Sequence, residues 1–140
     1  MTISQELIDA YLSTRFVTHA PVGDLEIRIG QSHPAVDRLV TAGGHAEWAF
    51  ITAWNPKSVE SSAEGNAAAQ VTLEAELRAA GYRLFQGEGI PADTRWLAEM
   101  SVLVVGIPEA VAIEVGRRYG QNAIVVGQVG GVAELRLCDA

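Results

Sequence analysis

Apolar residues recur along this chain with more than one period, and each change of period marks a new element. At the start, Ile3, Leu7 and Tyr11 stand four apart with Ile8 and Leu12 beside them, which predicts an amphipathic helix from about Ser4 to Arg15. After Pro21-Val22-Gly23-Asp24 the period drops to two: Leu25, Ile27 and Ile29 alternate with Glu26 and Arg28, a half-buried strand that stops at Gly30. Ser32-His33-Pro34 opens a short helix, with proline in the first turn, and Gly43-Gly44 closes it.

The run Trp48-Ala49-Phe50-Ile51-Thr52-Ala53-Trp54 has no polar face, so it predicts a central strand covered on both sides, ending at Asn55-Pro56. A long helix follows from about Ser61 to Ala80, with Asn66, Gln70, Leu73 and Leu77 on one stripe and Gly81 as its stop. Tyr82 to Gln86 is a short strand, Gly87 to Arg95 a loop rich in glycine and charge, and Met100 to Val105 a second doubly buried strand. After Gly106-Ile107-Pro108 comes a helix with Ala112, Val115, Gly116 and Tyr119 inward and Arg117 and Arg118 near the negative end of its dipole. Ala123 to Val126 is a third buried strand, and Gly130-Gly131 turns it into a last strand through Leu135 and Leu137.

Strands joined through a helix, over 48–86 and 102–126, should run parallel within each unit, whereas the 86–100 loop and the final turn suggest antiparallel pairs. The expected fold is therefore α/β to α+β: one domain over 1–140, built as a mixed β-sheet with helices packed on it.

Ligands of such sheets collect where strands end and connections diverge. Asn55, Lys57 and Ser58 leave the first buried strand just ahead of a helix start, where unpaired N–H groups could take an anionic or carbonyl group; ordinary turn and cap chemistry explains the same residues. Asn66 heads an apolar stripe and should face the sheet, where with Ser62 it either ties down the preceding loop or meets a ligand. Trp96, Glu99 and Ser101 cluster at the entry of the second buried strand. Glu99 is the one candidate catalytic residue, because desolvation beside an indole would raise its pKa; an ion pair with Arg95 or another arginine is the plainer reading. Gln121 and Asn122, after Tyr119-Gly120, complete the set of polar segments or simply complete a turn.

Other motifs fail on context. Gly87-x-Gly89-x-x-Ala92 fits a dinucleotide pattern but opens no helix, and His19, His33 and His45 lack metal spacing with one another or with Cys138. No serine stands in a nucleophile elbow, so neither a triad nor a metal is expected, and no motif specifies a cofactor.

Composition narrows the classes. A net charge of −7, with nine scattered arginines and only Lys57 as lysine, argues against nucleic acid as partner. A single cysteine permits no intrachain disulfide, which with the absence of a basic, apolar leader in Met1 to Glu6 and of any long apolar run points to a soluble protein of the reducing cytoplasm and to no membrane role. At 140 residues the chain can bury roughly two-thirds of its unfolded surface in a single core.

The segments Tyr11-Leu12-x-Thr14-x-Phe16, Ile29-Gly30-Gln31, Phe50 to Pro56 with Ser58, and Glu64 with Asn66 resemble a bacterial domain-of-unknown-function family, number 3293. Gly81-Tyr82, Gly87-x-Gly89, Trp96-x-x-Glu99-x-Ser101, Gly106-Ile107 and Tyr119-Gly120-Gln121-Asn122-Ala123 continue the likeness in order. The resemblance implies no known activity. In the family pattern Glu and Asn are adjacent and an arginine follows one turn later; here Gly65 separates Glu64 from Asn66, and Ala69 stands at the arginine position. Two readings remain. One is a domain binding, or turning over, a small polar or nucleotide-like metabolite through Asn55, Ser58, Asn66, Trp96, Glu99, Ser101, Gln121 and Asn122. The other is a non-catalytic module for a protein partner or a homo-oligomer, anchored by aromatic residues.

Overall fold

The computed structural model describes residues 3–138; Met1 and Thr2, part of the stretch read for a leader, lie outside it. Four helices, α1 (Gln5–Leu12), α2 (Pro34–Ala42), α3 (Ala63–Ala79) and α4 (Glu109–Arg118), accompany seven strands: β1 (Arg15–Ala20), β2 (Gly23–Ile27), β3 (Glu47–Ile51), β4 (Arg83–Ile90), β5 (Glu99–Val105), β6 (Ala123–Gln128) and β7 (Glu134–Leu137). The strands form one sheet in the order β2-β1-β4-β5-β3-β6-β7, and every neighbouring pair is antiparallel.

The middle of that sheet explains the expectation of parallel units. β3 and β4, joined through α3, do run the same way, but β5 lies between them; β5 and β6, joined through α4, run the same way with β3 between them. Each crossover skips one strand, so strands of like direction are never neighbours. The β3-α3-β4-β5-α4-β6 unit with spatial order β4-β5-β3-β6 is the split βαβ, or ferredoxin-like, arrangement. The hairpin β1–β2 extends it at one end and β7 at the other.

Both faces of the sheet are covered, which is why its central strands show no alternation. On one face Leu73 and Leu77 of α3 and Ala112 and Val115 of α4 pack on Ala49, Ile51, Val102, Val104, Ile124 and Val126. On the other, Val36 and Val40 of α2 pack with Phe16, Ile27, Trp48, Phe50, Phe85, Leu103, Val105 and Val125. Phe16 and Phe50 meet edge to face with centroids 5.5 Å apart.

Three elements differ from the sequence reading. The first helix ends at Leu12, and 15–20 form a strand whose Phe16, Val17 and Thr18 are all buried, so no period-two signal announces it. β3 ends at Ile51, and Thr52 to Trp54 already belong to the exit loop. The short strand through Gln86 runs on to Ile90, so Gly87 and Gly89 are strand residues between β1 and β5 rather than loop. Gly87 is there because a Cβ would meet the Val17 carbonyl oxygen and lie 3.2 Å from the Phe50 ring.

Among the described residues no helix is long and apolar enough to cross a membrane. No group of three or more His, Cys, Asp or Glu among them is placed to hold a metal ion.

Candidate functional site

The C-terminal end of β3, the N-terminal ends of β5 and β6, the start of α3 and the end of α1 lie along one edge of the sheet. The exit from β3 is a strained turn. Asn55, Lys57 and Ser58 all take positive φ, at 45°, 59° and 60°, around a short 3₁₀ turn over Pro56–Ser58. Left-handed backbone at a non-glycine residue costs about 1–3 kcal/mol and survives only where surroundings dictate it.

Here they do. Asn66, buried on α3, accepts from the Asn55 backbone N–H through Oδ1 at 2.9 Å and donates from Nδ2 to Asn55 Oδ1 at 2.8 Å. Asn55 Oδ1 also accepts from the Ser61 N–H at 3.0 Å. One turn further on, buried Gln70 accepts from the Ala53 N–H at 2.9 Å and donates to Glu74 at 3.1 Å; Glu74 in turn accepts from Gln86 and Arg78. Asn66, Gln70 and Glu74 thus form a polar ladder along α3 that fastens the strand exit. Ser62 stands apart from this ladder, and its hydroxyl caps α3 by accepting from the Gly65 N–H.

The turn before β6 docks on the same segment. The Lys57 N–H donates to the Gly120 carbonyl at 2.6 Å, Gln121 Nε2 donates to the Trp54 carbonyl at 3.2 Å, and Asn122 Nδ2 donates to Ser58 Oγ at 3.0 Å. Gly120 has φ +73°, and a Cβ there would stand 2.8 Å from Pro56 Cβ, so only glycine permits the contact.

Against the Ser58 hydroxyl lies Tyr11 at the end of α1. Burial raises its pKa, Ser58 opposes that by hydrogen bonding, and the charge of Glu99 adds to the rise. Glu99 itself opens β5, and burial alone pushes its carboxyl up to about 7. The arginine expected to neutralise it is elsewhere: Arg95 forks onto Asp93 at 2.6 and 3.1 Å and holds that carboxyl well down, at about 2. The loop between Ile90 and Glu99 turns its charged side chains onto one another and leaves Glu99 without a counter-ion among the described residues.

Of the residues singled out in the sequence, Asn55, Ser58, Asn66, Gln121 and Asn122 share hydrogen bonds or backbone contacts at this edge, whereas Glu99 makes no side-chain hydrogen bond with any of them. Ser101 is buried and donates to the Glu99 carbonyl at 3.0 Å, a bond within its own strand. Trp96 stands 57% exposed in the loop ahead of β5. Tyr11 and Glu74 are additions. Tyr11 sits on an apolar helical stripe and reads as core, although a polar tip at the end of such a stripe is a signal in itself. Glu74 falls between two leucines of the buried stripe, where a carboxylate is unexpected. Ala69 lies at the margin of the core between α3 and the sheet.

A cavity of about 270 Å³ opens at the opposite edge of the sheet, between Trp48, Ile107, Glu109, Gly127, Val132 and Arg136. In its wall Arg136 pairs with Glu109 at 3.2 Å and with Glu134 at 2.7 Å, and Glu47 adds a third carboxylate.

Fold and edge together define an α+β protein: a split βαβ core with a polar, over-determined strand exit. The chain belongs to the family described as protein of unknown function (DUF3293), whose model matches residues 51–124. No curated protein and no solved structure matches it. The matched stretch spans the strained turn, α3, Glu99 and the 119–122 turn, and stops as β6 begins.

Proposed function

We propose that this protein binds a small polar ligand at the β3 exit, with Glu99, Tyr11, Ser58 and Asn122 as the contacting groups and Asn55, Asn66 and Gln121 as the residues that hold them in place. The observation that carries this reading is the turn of three left-handed, non-glycine residues, clamped by two amide side chains and a neighbouring loop, with Ser58 taking a hydrogen bond from Asn122. A fold that needed only to connect β3 to α3 could do so with an unstrained loop; strain that is held this firmly collects at functional positions. The cavity at the other edge has no left-handed non-glycine residue in its lining.

The same reading takes the chain as a single domain working in a reducing, cytoplasmic compartment on a metabolite rather than on nucleic acid. Its net charge of −7 and its single, buried cysteine, which permits no intrachain disulfide, support that. A titration of the isotope-labelled chain with a panel of metabolite-sized acids, amines, amides and nucleotides tests it. Amide resonances of 55–58, 99–101 and 120–122 should move together with at least one compound, and Ser58→Ala or Asn122→Ala should weaken that compound about tenfold. A panel that moves none of them at saturating concentration defeats the reading.

Trp96, Leu97 and Met100, exposed by 57, 86 and 46%, favour a second reading as a docking module. Light scattering that shows a concentration-dependent dimer, lost in Leu97→Ser, would support it.

A further inference from the structure

Between β2 and α2 the chain reverses and then enters a helix. Residues 28–31 make the turn, closed by the Gln31 N–H donating to the Arg28 carbonyl at 3.2 Å, with Gly30 at φ +88°. Pro34 opens α2, and the side chain of His33 before it makes no cap hydrogen bond. The imidazole turns back over the loop instead, where its Nε2 accepts from the Arg28 backbone N–H at 2.9 Å. A ring nitrogen that accepts carries no proton, so this bond requires the neutral imidazole with its hydrogen on Nδ1.

The loop that His33 closes is itself a clamp. The Gly30 N–H donates to the Ala133 carbonyl at 2.8 Å, the Ala133 N–H donates to the Gln31 carbonyl at 3.0 Å, and Ser32 forms an antiparallel bridge with Val132. From the first turn of α2, Asp37 Oδ2 accepts from the Gly130 N–H at 3.1 Å. The turn between β6 and β7 is thus fastened by 28–33 and by α2, and its Gly131 and Val132 line the cavity of about 270 Å³.

We infer that His33 is a proton-operated latch on this turn: neutral, it closes the 28–33 loop and through it holds the cavity wall; protonated, it must give up the Arg28 N–H, and the loop and the β6–β7 turn loosen together. Burial lowers the His33 pKa below its ordinary 6.5, and the charges that face it, Asp37 from α2 and Glu26 from β2, oppose that shift without cancelling it. The Arg28 guanidinium is occupied by Glu26 at 3.1 Å, and 130–133 carry no titratable side chain. The latch is accordingly shut at neutral pH. A released imidazole takes up its proton at a higher pH than the held one, so acidification below 6.5 favours release until the held ring is protonated too, and no further gain follows. The device is independent of the ligand site at the β3 exit.

NMR of the isotope-labelled full chain tests it. The His33 ring should titrate with its midpoint below 6.5. Between pH 7.5 and 5 the hydrogen-exchange protection of the Arg28, Gly30, Gly130 and Ala133 amides, corrected for intrinsic rate, should fall severalfold, up to the roughly thirtyfold that one proton on an ordinary imidazole allows. The Ala53 and Asn55 amides, held by α3 at the far edge, should keep their protection. His33→Gln, whose side-chain oxygen can take the Arg28 N–H at any pH, should keep the four amides protected throughout while leaving Glu99, His19 and His45 in place. Should that variant fold poorly, the wild-type titration decides alone. A midpoint at or above 6.5, protection unchanged across the titration, a loss spread evenly over the sheet, or a pH dependence that survives in His33→Gln each overturns the latch.

Discussion

Glu99 holds its proton more tightly in the folded chain than an exposed glutamate does, and that difference is a statement about stability. Its carboxyl titrates at about 7 in the fold against 4.5 for the free side chain. Below pH 4.5 both states carry the proton and nothing is lost. Between 4.5 and 7 the unfolded chain gives it up while the folded chain keeps it, so stability falls as pH rises and levels off above 7. Removing the charge with Glu99→Gln should therefore stabilise the protein by on the order of 2–3 kcal/mol at pH 8 and leave it unchanged at pH 4. Denaturant melts at the two pH values check this, and equal midpoints at pH 8 contradict the burial argument. Asn66 makes the opposite case. Asn66→Ala removes the acceptor of the Asn55 N–H and one of the two donors to the Asn55 side-chain oxygen, leaving a backbone N–H unsatisfied, at a cost of about 1–3 kcal/mol, measurable by urea unfolding. Part of this was legible beforehand: an amide on an apolar stripe must have partners, whereas for the carboxyl at the buried strand's entry an ion pair with an arginine was the plainer reading. The partners themselves were not, since Arg95 choosing Asp93 over Glu99 is a matter of loop geometry two residues apart, which no periodicity encodes.

At the scale of elements, α2, α3, α4 and the doubly buried strands follow from hydrophobic period, caps and glycine stops, and they stand within a few residues of the expected bounds. β1 and the second half of β4 do not. Both are segments without the usual signals: β1 buries consecutive residues on both faces, and β4 has no side chain at Gly87, where the Val17 backbone and the Phe50 ring leave no room, nor at Gly89. The two glycines are not equivalent, and this separates a packing requirement from a loose preference. Gly87→Ala drives a Cβ onto the Val17 carbonyl and the Phe50 ring and should cost about 1–3 kcal/mol or more. Gly89→Ala meets nothing nearer than 3.7 Å and should change stability by less than about 1 kcal/mol, with strand propensity acting in its favour. Thermal unfolding of the pair decides the matter, and equal losses would mean that flexibility rather than space selects glycine at both positions.

Across the whole molecule, the stretch that matches the family, 51–124, lies inside the split βαβ unit, from the last residue of β3 to the second of β6, and that unit has two faces and brings helices to only one. The opposite face, with Trp48, Phe50, Phe85, Leu103, Val105 and Val125, is closed by Phe16 and Ile27 of the β1–β2 hairpin and by Val36 and Val40 of α2. Crossovers through α3 and α4 could be expected from the sequence. What it did not disclose is that each skips a strand, because direction is set by connection length while adjacency is set by which buried faces fit together. The N-terminal third is then not an accessory: without it six large side chains would face water. A fragment over 45–138 should keep helical and strand circular dichroism but lose its dispersed amide spectrum and its cooperative melt, in the manner of a compact state without fixed packing. Restoring residues 1–44 as a separate chain should recover dispersion if the hairpin and α2 close the second face as they do in the intact protein. A fragment that melts cooperatively by itself would show that the sheet needs cover on one face only, and the strained turn, which lies wholly within it, could then be studied apart from Tyr11.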